Sequence, residues 1–335
     1  MTIADGKFVV TGGASLIGSH VAEELLARGA REVVLLDNYA LGSPDVVKDL
    51  IGNPRIKLVR GDILCINELY DAFEGTDGVF AIAGFLTLPL SQNPSLGLAV
   101  NVEGQVNIFE ACRYRGVKRV VFSSSVATYG DPAPGLIDET RPTNLATFQP
   151  AAALYACTKI IGENLCKLYS ARYGIGAIAL RYATVYGERQ HYRGVNALYI
   201  MENYDRILRG EPPVIPDDGS EVHDYIHVAD VARANVMAMA SDVTGESFNV
   251  ATGVATSLNR IVELLVQITG TRLKPVHKAN TAAVRASATA QLDFSRAKIE
   301  TMLGWKPEVS IEEGIRRLIA WRQREDAAIG RKPAA

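Results

Sequence analysis

The sequence predicts a doubly wound α/β fold, a parallel sheet with helices on both faces, joined to a smaller C-terminal α/β domain. Three observations carry this expectation. Apolar strand-like runs alternate with helix-period segments through the first half of the chain. Those runs are continuously apolar, as in strands buried on both faces, rather than alternating. The first run enters a glycine-rich turn and an amphipathic helix, VVTGGASLIGSH at 9–20.

Strands are expected at 7–12, 32–38, 56–62, 78–84, 118–125 and 176–182, with helices at 16–28, 64–74, 95–115 and 151–173. Residues 1–182 therefore read as a dinucleotide-binding domain and 183–335 as a substrate-binding domain, with 223–251 expected to pack back onto the first. After residue 182 come a loop at 187–194, a helix at 195–209 and a proline-rich connection at 211–220. A short strand and helix over 224–240, a strand at 247–252 and a helix at 257–269 follow. The final helix, 311–325, starts at a Ser310 N-cap with Glu313 in the capping-box position, and the tail from Asp326 reads as disordered.

The 335 residues are 48% hydrophobic and 21% charged, enough to bury a large core. Net charge is −2 with no basic run, so no nucleic-acid footprint is present. The longest apolar run, 79–90, is too short to span a bilayer and contains proline. Cys65, Cys112, Cys157 and Cys166 lack metal-ligand spacing, and no metal is expected. They read as reduced structural thiols, the last three on helices, in a cytoplasmic protein.

Gly12, Gly13 and Gly18 surround the first strand-to-helix turn. Behind it the helix N-terminus, at Leu16 and Ile17, offers N–H groups and a positive dipole end to a pyrophosphate. The second strand ends in Asp37, whose carboxylate suits both ribose hydroxyls of NAD and repels the 2′-phosphate of NADP. Asn38 and Tyr39 follow, with no arginine to receive that phosphate. Ser15 stands where a glycine usually lets the backbone approach the pyrophosphate. Its hydroxyl is expected to donate to a phosphate oxygen in partial replacement.

Tyr155 and Lys159 lie four apart on one helix face. YxxxK alone recurs by chance; here it follows a glycine turn and a strand tipped by Ser123, Ser124 and Ser125. Open parallel sheets bind ligands at such carboxyl ends. A neighbouring ammonium and a cationic nicotinamide both favour phenolate, so Tyr155 can take a proton from a substrate hydroxyl as hydride leaves the same carbon. Ser125 is placed to bond the same oxygen.

TGGASLIGSH, LLDN, GDI, FSSSVATYG, YACTK, LRYATVYGERQ, DYIHVADVARA and LGWKPEVSIEEGI occur in this order. Together they resemble the extended short-chain dehydrogenase/reductases, and within them the NAD-dependent nucleotide-sugar epimerases and dehydratases, above all UDP-hexose 4-epimerases. The resemblance implies a Rossmann-type domain holding NAD through Gly12, Gly18, Asp37, Asp62 and Ile63, with Tyr155 and Lys159 at the nicotinamide and ribose. It also places Ala81, Ala83 and Ser123 along the cofactor, and Ser125, Tyr155 and Lys159 as the catalytic set. It implies oxidation of a sugar C4 hydroxyl to a 4-keto intermediate and hydride return to the other face. A homodimer through the helices at 95–115 and 151–173 is implied as well.

Dehydratases and decarboxylases that resemble the chain carry carboxylates where this sequence has Val126 and Ala127. An epimerase remains favoured, with an NAD-dependent dehydrogenase or reductase as alternative and a catalytically silent NAD-binding protein behind both. Thr184 replaces an asparagine that contacts the nucleotide sugar in the family, and His223 replaces a diphosphate-binding arginine. Arg285 persists in an altered motif, and Asn196 is a further candidate substrate contact. These departures leave the sugar and nucleotide open.

Overall fold

A computed structural model describes residues 1–190, 198–279 and 292–328. Its first half contains β1 (Lys7–Thr11), α1 (Leu16–Ala27), β2 (Glu32–Asp37), β3 (Ile56–Arg60), α2 (Ile66–Ala72), β4 (Gly78–Ala81) and α3 (Thr87–Gln92). Then come α4 (Pro94–Leu98), α5 (Gly104–Arg115), β5 (Arg119–Ser125), α6 (Pro150–Tyr173) and β6 (Gly176–Tyr182). The second half holds β7 (Thr184–Tyr186), α7 (Leu198–Leu208), β8 (Val214–Pro216), β9 (Val222–His227), α8 (Val228–Ala240) and β10 (Glu246–Val250). It ends with β11 (Ala255–Ser257), α9 (Leu258–Thr269), β12 (Val276–Lys278), α10 (Ala297–Leu303) and α11 (Ile311–Ala328).

Seven strands form one sheet in the order β3-β2-β1-β4-β5-β6-β10, every pair parallel. The chain runs outward from β1 to β3 and returns at β4, so a cleft opens beyond the carboxyl ends of β1 and β4. β10 joins the sheet beside β6, with Glu246 opposite Ile178, and α8 packs on α1. A second sheet, β11-β9-β7, and the β8–β12 pair stand apart from the first.

Two local devices shape the cleft. The strand expected over 78–84 stops at Ala81 because the Ile82 and Ala83 amides both turn to Thr11 Oγ1, at 3.2 and 3.3 Å. The helix expected over 95–115 is three pieces: α4, a π-helical turn at Ala99–Glu103, and α5. That turn carries Asn101, whose buried amide accepts from Phe85 N at 2.6 Å and donates to Phe85 O at 2.9 Å. A wider helical turn of this kind is how one side chain is aimed inward without ending the helix.

α6 lies close on β5 because Gly162 has no side chain. A Cβ there would sit 2.1 Å from Phe122 Cζ. The final helix departs from expectation at both ends. Glu313 N donates to Ser310 Oγ at 3.2 Å, but the Glu313 carboxylate pairs with Arg317 instead of closing a capping box. The helix then continues through Asp326, which pairs with Arg322 at 3.0 Å, to Ala328. Among the described residues no helix is long and apolar enough to cross a membrane. All four cysteines are free; Cys112 and Cys166 are buried, whereas Cys157, expected inside, is exposed.

Candidate active site

The cleft is an open pocket beyond the carboxyl ends of β1, β2 and β4. Gly12, Ser15, Leu16 and Ile17 line it at the start of α1, Asp37 and Asn38 at the end of β2, Asp62 and Ile63 after β3, and Ala83 and Gly84 after β4. Gly12 has φ +67, and a Cβ on it would stand 2.9 Å from Ala83 N, so a side chain would fill the cradle. Gly13, Gly18 and Ala81 do not line the pocket. The first two are packing glycines: a Cβ on Gly13 would meet Leu35 Cα at 2.7 Å, and one on Gly18 would meet Gly12 O.

Ser15 corrects its expected role. Its hydroxyl donates to Gly12 O at 2.6 Å and accepts from Gly18 N at 3.2 Å, so it is the N-cap of α1 and its proton is already placed. The unbranched approach to an anion therefore falls to the backbone of the first helical turn. Asp37 is buried, and accepts from Ala14 N at 3.0 Å and Tyr39 N at 2.8 Å. These bonds tie the carboxylate to the glycine turn. Asn38 Nδ2 donates to Asp62 Oδ2 at 3.0 Å, joining the next two parts of the wall.

At the tip of β5, three successive serines each engage a different residue of one α6 face. Ser125 lies beside the Tyr155 phenol, close enough to offset part of the effect of burial on it. The Ser123 carbonyl accepts from Lys159 Nζ at 2.9 Å. Ser124 Oγ donates to Glu163 Oε1 at 2.6 Å, and Glu163 also takes two bonds from Arg181, at 2.8 and 2.7 Å. Tyr155, Lys159 and Glu163 recur every four residues, which is why one helix face reaches one strand end. The Ser123 hydroxyl faces away from this set, 3.2 Å from Tyr182 OH. Lys159 nevertheless reaches the pocket wall, for a Cβ on Gly84 would lie 3.6 Å from its Nζ.

Burial pushes the Tyr155 phenol up to about 12, against a smaller opposing effect of the Ser125 hydroxyl. Burial also pulls the Lys159 ammonium down to about 8. The lysine thus sheds its proton before the tyrosine does, and a neutral amine gives a phenolate no help. The lowering of Tyr155 is expected from the ammonium and the cationic nicotinamide together, and Lys159 by itself does not bring it about. Lowering the pKa of this phenol from about 12 to neutral pH takes about 7 kcal/mol. A cation some 5 Å away supplies roughly 3 kcal/mol at an effective dielectric near 20. Lys159 is that cation among the described residues, and it helps only while it holds its proton.

Thr184 opens β7 opposite Tyr225, and His223 lies on β9 with its Nε2 2.8 Å from Glu221 Oε1. Asn196 and Arg285 lie outside the described residues, as does the 191–194 stretch. Sequence reasoning missed Glu163, whose only signal was its four-residue step beyond Lys159. It also missed Gln190, a buried pocket residue within the quoted GERQ stretch. Among the described residues no cluster of side chains is arranged to hold a metal.

The family model for the NAD dependent epimerase/dehydratase family matches residues 8–251. The chain is 33% identical over 316 residues to a UDP-glucose 4-epimerase of Corynebacterium glutamicum, covering 90% of this chain and 91% of that one. A UDP-glucose 4-epimerase of Thermotoga maritima, solved with UDP-glucose, superposes with a TM-score of 0.83 at 31% identity, over 95% of this chain and 99% of the other. The UDP-glucose 4-epimerase of Thermus thermophilus, solved with NAD, gives 0.78 at 30% identity, over 94% and 99%. With its sheet order, glycine cradle and Ser125–Tyr155–Lys159 constellation, the chain belongs to the NAD dependent epimerase/dehydratase family.

Proposed function

We propose that this protein interconverts the C4 epimers of a UDP-linked sugar with NAD as a bound, recycled cofactor. The carrying observation is the Tyr155–Ser125 pair with Lys159 at the pocket wall, followed by Val126 and Ala127 in the turn after β5. The glycine cradle, the α1 N-terminus and Asp37 fit NAD, with the pyrophosphate at Leu16 and Ile17 and the adenosine ribose at Asp37. When bound, NAD would supply the hydride acceptor, and the positive charge of its oxidised ring would add to that of Lys159 in favouring the phenolate.

Tyr155 removes the proton of the C4 hydroxyl and returns it at the end of the cycle. Ser125 holds that oxygen in line, its own hydroxyl already oriented by Ala127 N at 3.1 Å. Lys159, fixed by the Ser123 carbonyl, stabilises the phenolate once the tyrosine titrates below it. Val126 and Ala127 carry no proton-transfer group, which disfavours elimination and decarboxylation. Thr184 and His223 contact the nucleotide sugar from the second sheet, with Asn196 and Arg285 as further anchors. We place the dinucleotide domain at 1–182 and the substrate domain at 183–335.

The exposed Leu98, Tyr114, Ile161 and Leu168 support a homodimer through α4, α5 and α6. Four free thiols support a reducing cytoplasmic location.

A panel of UDP-, GDP- and dTDP-sugars read by NMR tests the assignment. A C4-inverted UDP-sugar without net NADH is expected. Stoichiometric NADH would replace the epimerase with a dehydrogenase, and no turnover by NAD-loaded protein would leave a binding protein.

A further inference from the structure

The dinucleotide pocket draws its lining from residues 12–100 with one exception among the described residues, Gln190, four residues beyond β7. This side chain is only 4% exposed. Three restraints bring it there. Gly187 takes φ +149, and a Cβ on it would stand 2.5 Å from Val228 Cγ1, so the segment passes hard against the start of α8. Glu188 then lies 3.0 Å from His227 Nε2. Burial opposes ionisation of this carboxyl, but His227 outweighs it and holds the group down to about 2. Finally Arg189 adopts a left-handed φ of 66°, unusual for a side chain of this size, and its guanidinium binds both carboxylate oxygens of Glu23 on α1. The arginine side chain is 12% exposed.

Among the described residues the pocket lining includes two carboxylates, Asp37 and Asp62, and no lysine or arginine, with Lys159 standing behind Gly84. A pyrophosphate there meets neutral donors, the α1 amides and the carboxamide of Gln190. We infer that the Arg189–Glu23 pair is a clasp that fastens residues 187–190 to α1, so that Gln190 closes over the bound dinucleotide and contacts it. The inference rests on the NAD reading above. Glu23 lies on the helix whose first turn faces the cofactor, so opening the clasp releases the pocket wall without disturbing the glycine cradle. Arg189 and Glu23 are positioning residues; Gln190 is the contact. The clasp therefore governs how long NAD stays bound more than how fast the bound complex turns over.

Exchange of protein-bound NAD against excess isotopically labelled NAD tests this directly. Glu23→Gln and Arg189→Met are each expected to speed exchange about tenfold, the double variant no further, because one bidentate pair is being removed. The charge swap Glu23→Arg with Arg189→Glu is expected to recover most of the loss, which a general loosening of the fold would not. Gln190→Leu, which touches neither ion pair, is expected to speed exchange as well, and decides the matter if an Arg189 or Glu23 variant fails to fold. Exchange within about twofold of the parent in these variants, a difference below that of even a weak ion pair, overturns the clasp. A parent protein that binds no NAD overturns the cofactor reading instead.

Discussion

The two sheets place their polar side chains in opposite ways. At the tip of β5, polar atoms find partners across elements: Ser123, Ser124 and Ser125 engage Lys159, Glu163 and Tyr155 of α6. On β9, the partners are near neighbours or a supporting loop. His223 pairs with Glu221 two residues away, and Asp224 accepts from Thr252 and Gly253. The first arrangement fixes a geometry between two rigid elements, as proton transfer requires. The second is made along the central strand of the small sheet, between residues two apart and a neighbouring loop. In the function proposed above, the chemistry belongs to the first sheet and the grip on substrate to the second.

The largest effect that sharpens this contrast is expected from Tyr155→Phe. It removes one oxygen and leaves Lys159 on the Ser123 carbonyl, so the packing of α6 survives. Turnover is expected to fall about a thousandfold, the scale of a lost general base. NAD affinity and substrate KM are expected to change little. Near-parental turnover in a steady-state assay would place the chemistry elsewhere and dissolve the distinction between the two sheets.

Lys159→Met gives a smaller but more diagnostic result, because activity and stability move in opposite directions. The folded-state pKa of about 8 lies below the ordinary lysine value of 10.5, with burial as the cause. Between those values the unfolded chain holds more protons, so the parent's stability rises with pH across the window, and below pH 8 the penalty is complete. Replacing the ammonium with a thioether chain removes a penalty of up to about 3 kcal/mol, less what the Ser123 bond contributed. The NAD-free variant is therefore expected to melt higher than the parent at pH 7 and to lose that advantage toward pH 11. Its turnover is expected to fall about a hundredfold, roughly the worth of a nearby cation to the phenolate. Equal melting shifts at both pH values would show that the ammonium is not buried at a cost.

The same contrast explains what was legible beforehand. The strands at 32–37, 119–125 and 176–182 were readable to within a residue or two, because a strand buried on both faces announces itself by uninterrupted apolar residues. Tyr155 and Lys159 were readable because a helix turns spacing into a shared face. What escaped depended on contacts between distant segments. Ser15 looked like a phosphate donor, since nothing in its neighbours reveals that Gly12 O takes its proton. The π turn at Ala99–Glu103 exists for an Asn101 bond to Phe85, sixteen residues away. Gln190 reaches the cofactor pocket only because Arg189 meets Glu23 across 166 residues. Local periodicity contains none of these.

His223→Arg carries the smallest effect and bears most directly on the second sheet. In the proposed site His223 takes the place of a diphosphate-binding arginine, and Glu221 is already beside it to hold a guanidinium. An arginine brings a permanent charge and a planar pair of donors. A diphosphate contacts this position equally in the ground and transition states, because it lies away from C4. The change should therefore appear in KM and leave kcat alone. KM for the UDP-sugar is expected to drop about three- to tenfold at neutral pH, in line with one added charge-assisted hydrogen bond. An unchanged KM would mean that β9 does not face the diphosphate. A change in kcat would tie His223 to the reacting carbon and erase the division of labour between the two sheets.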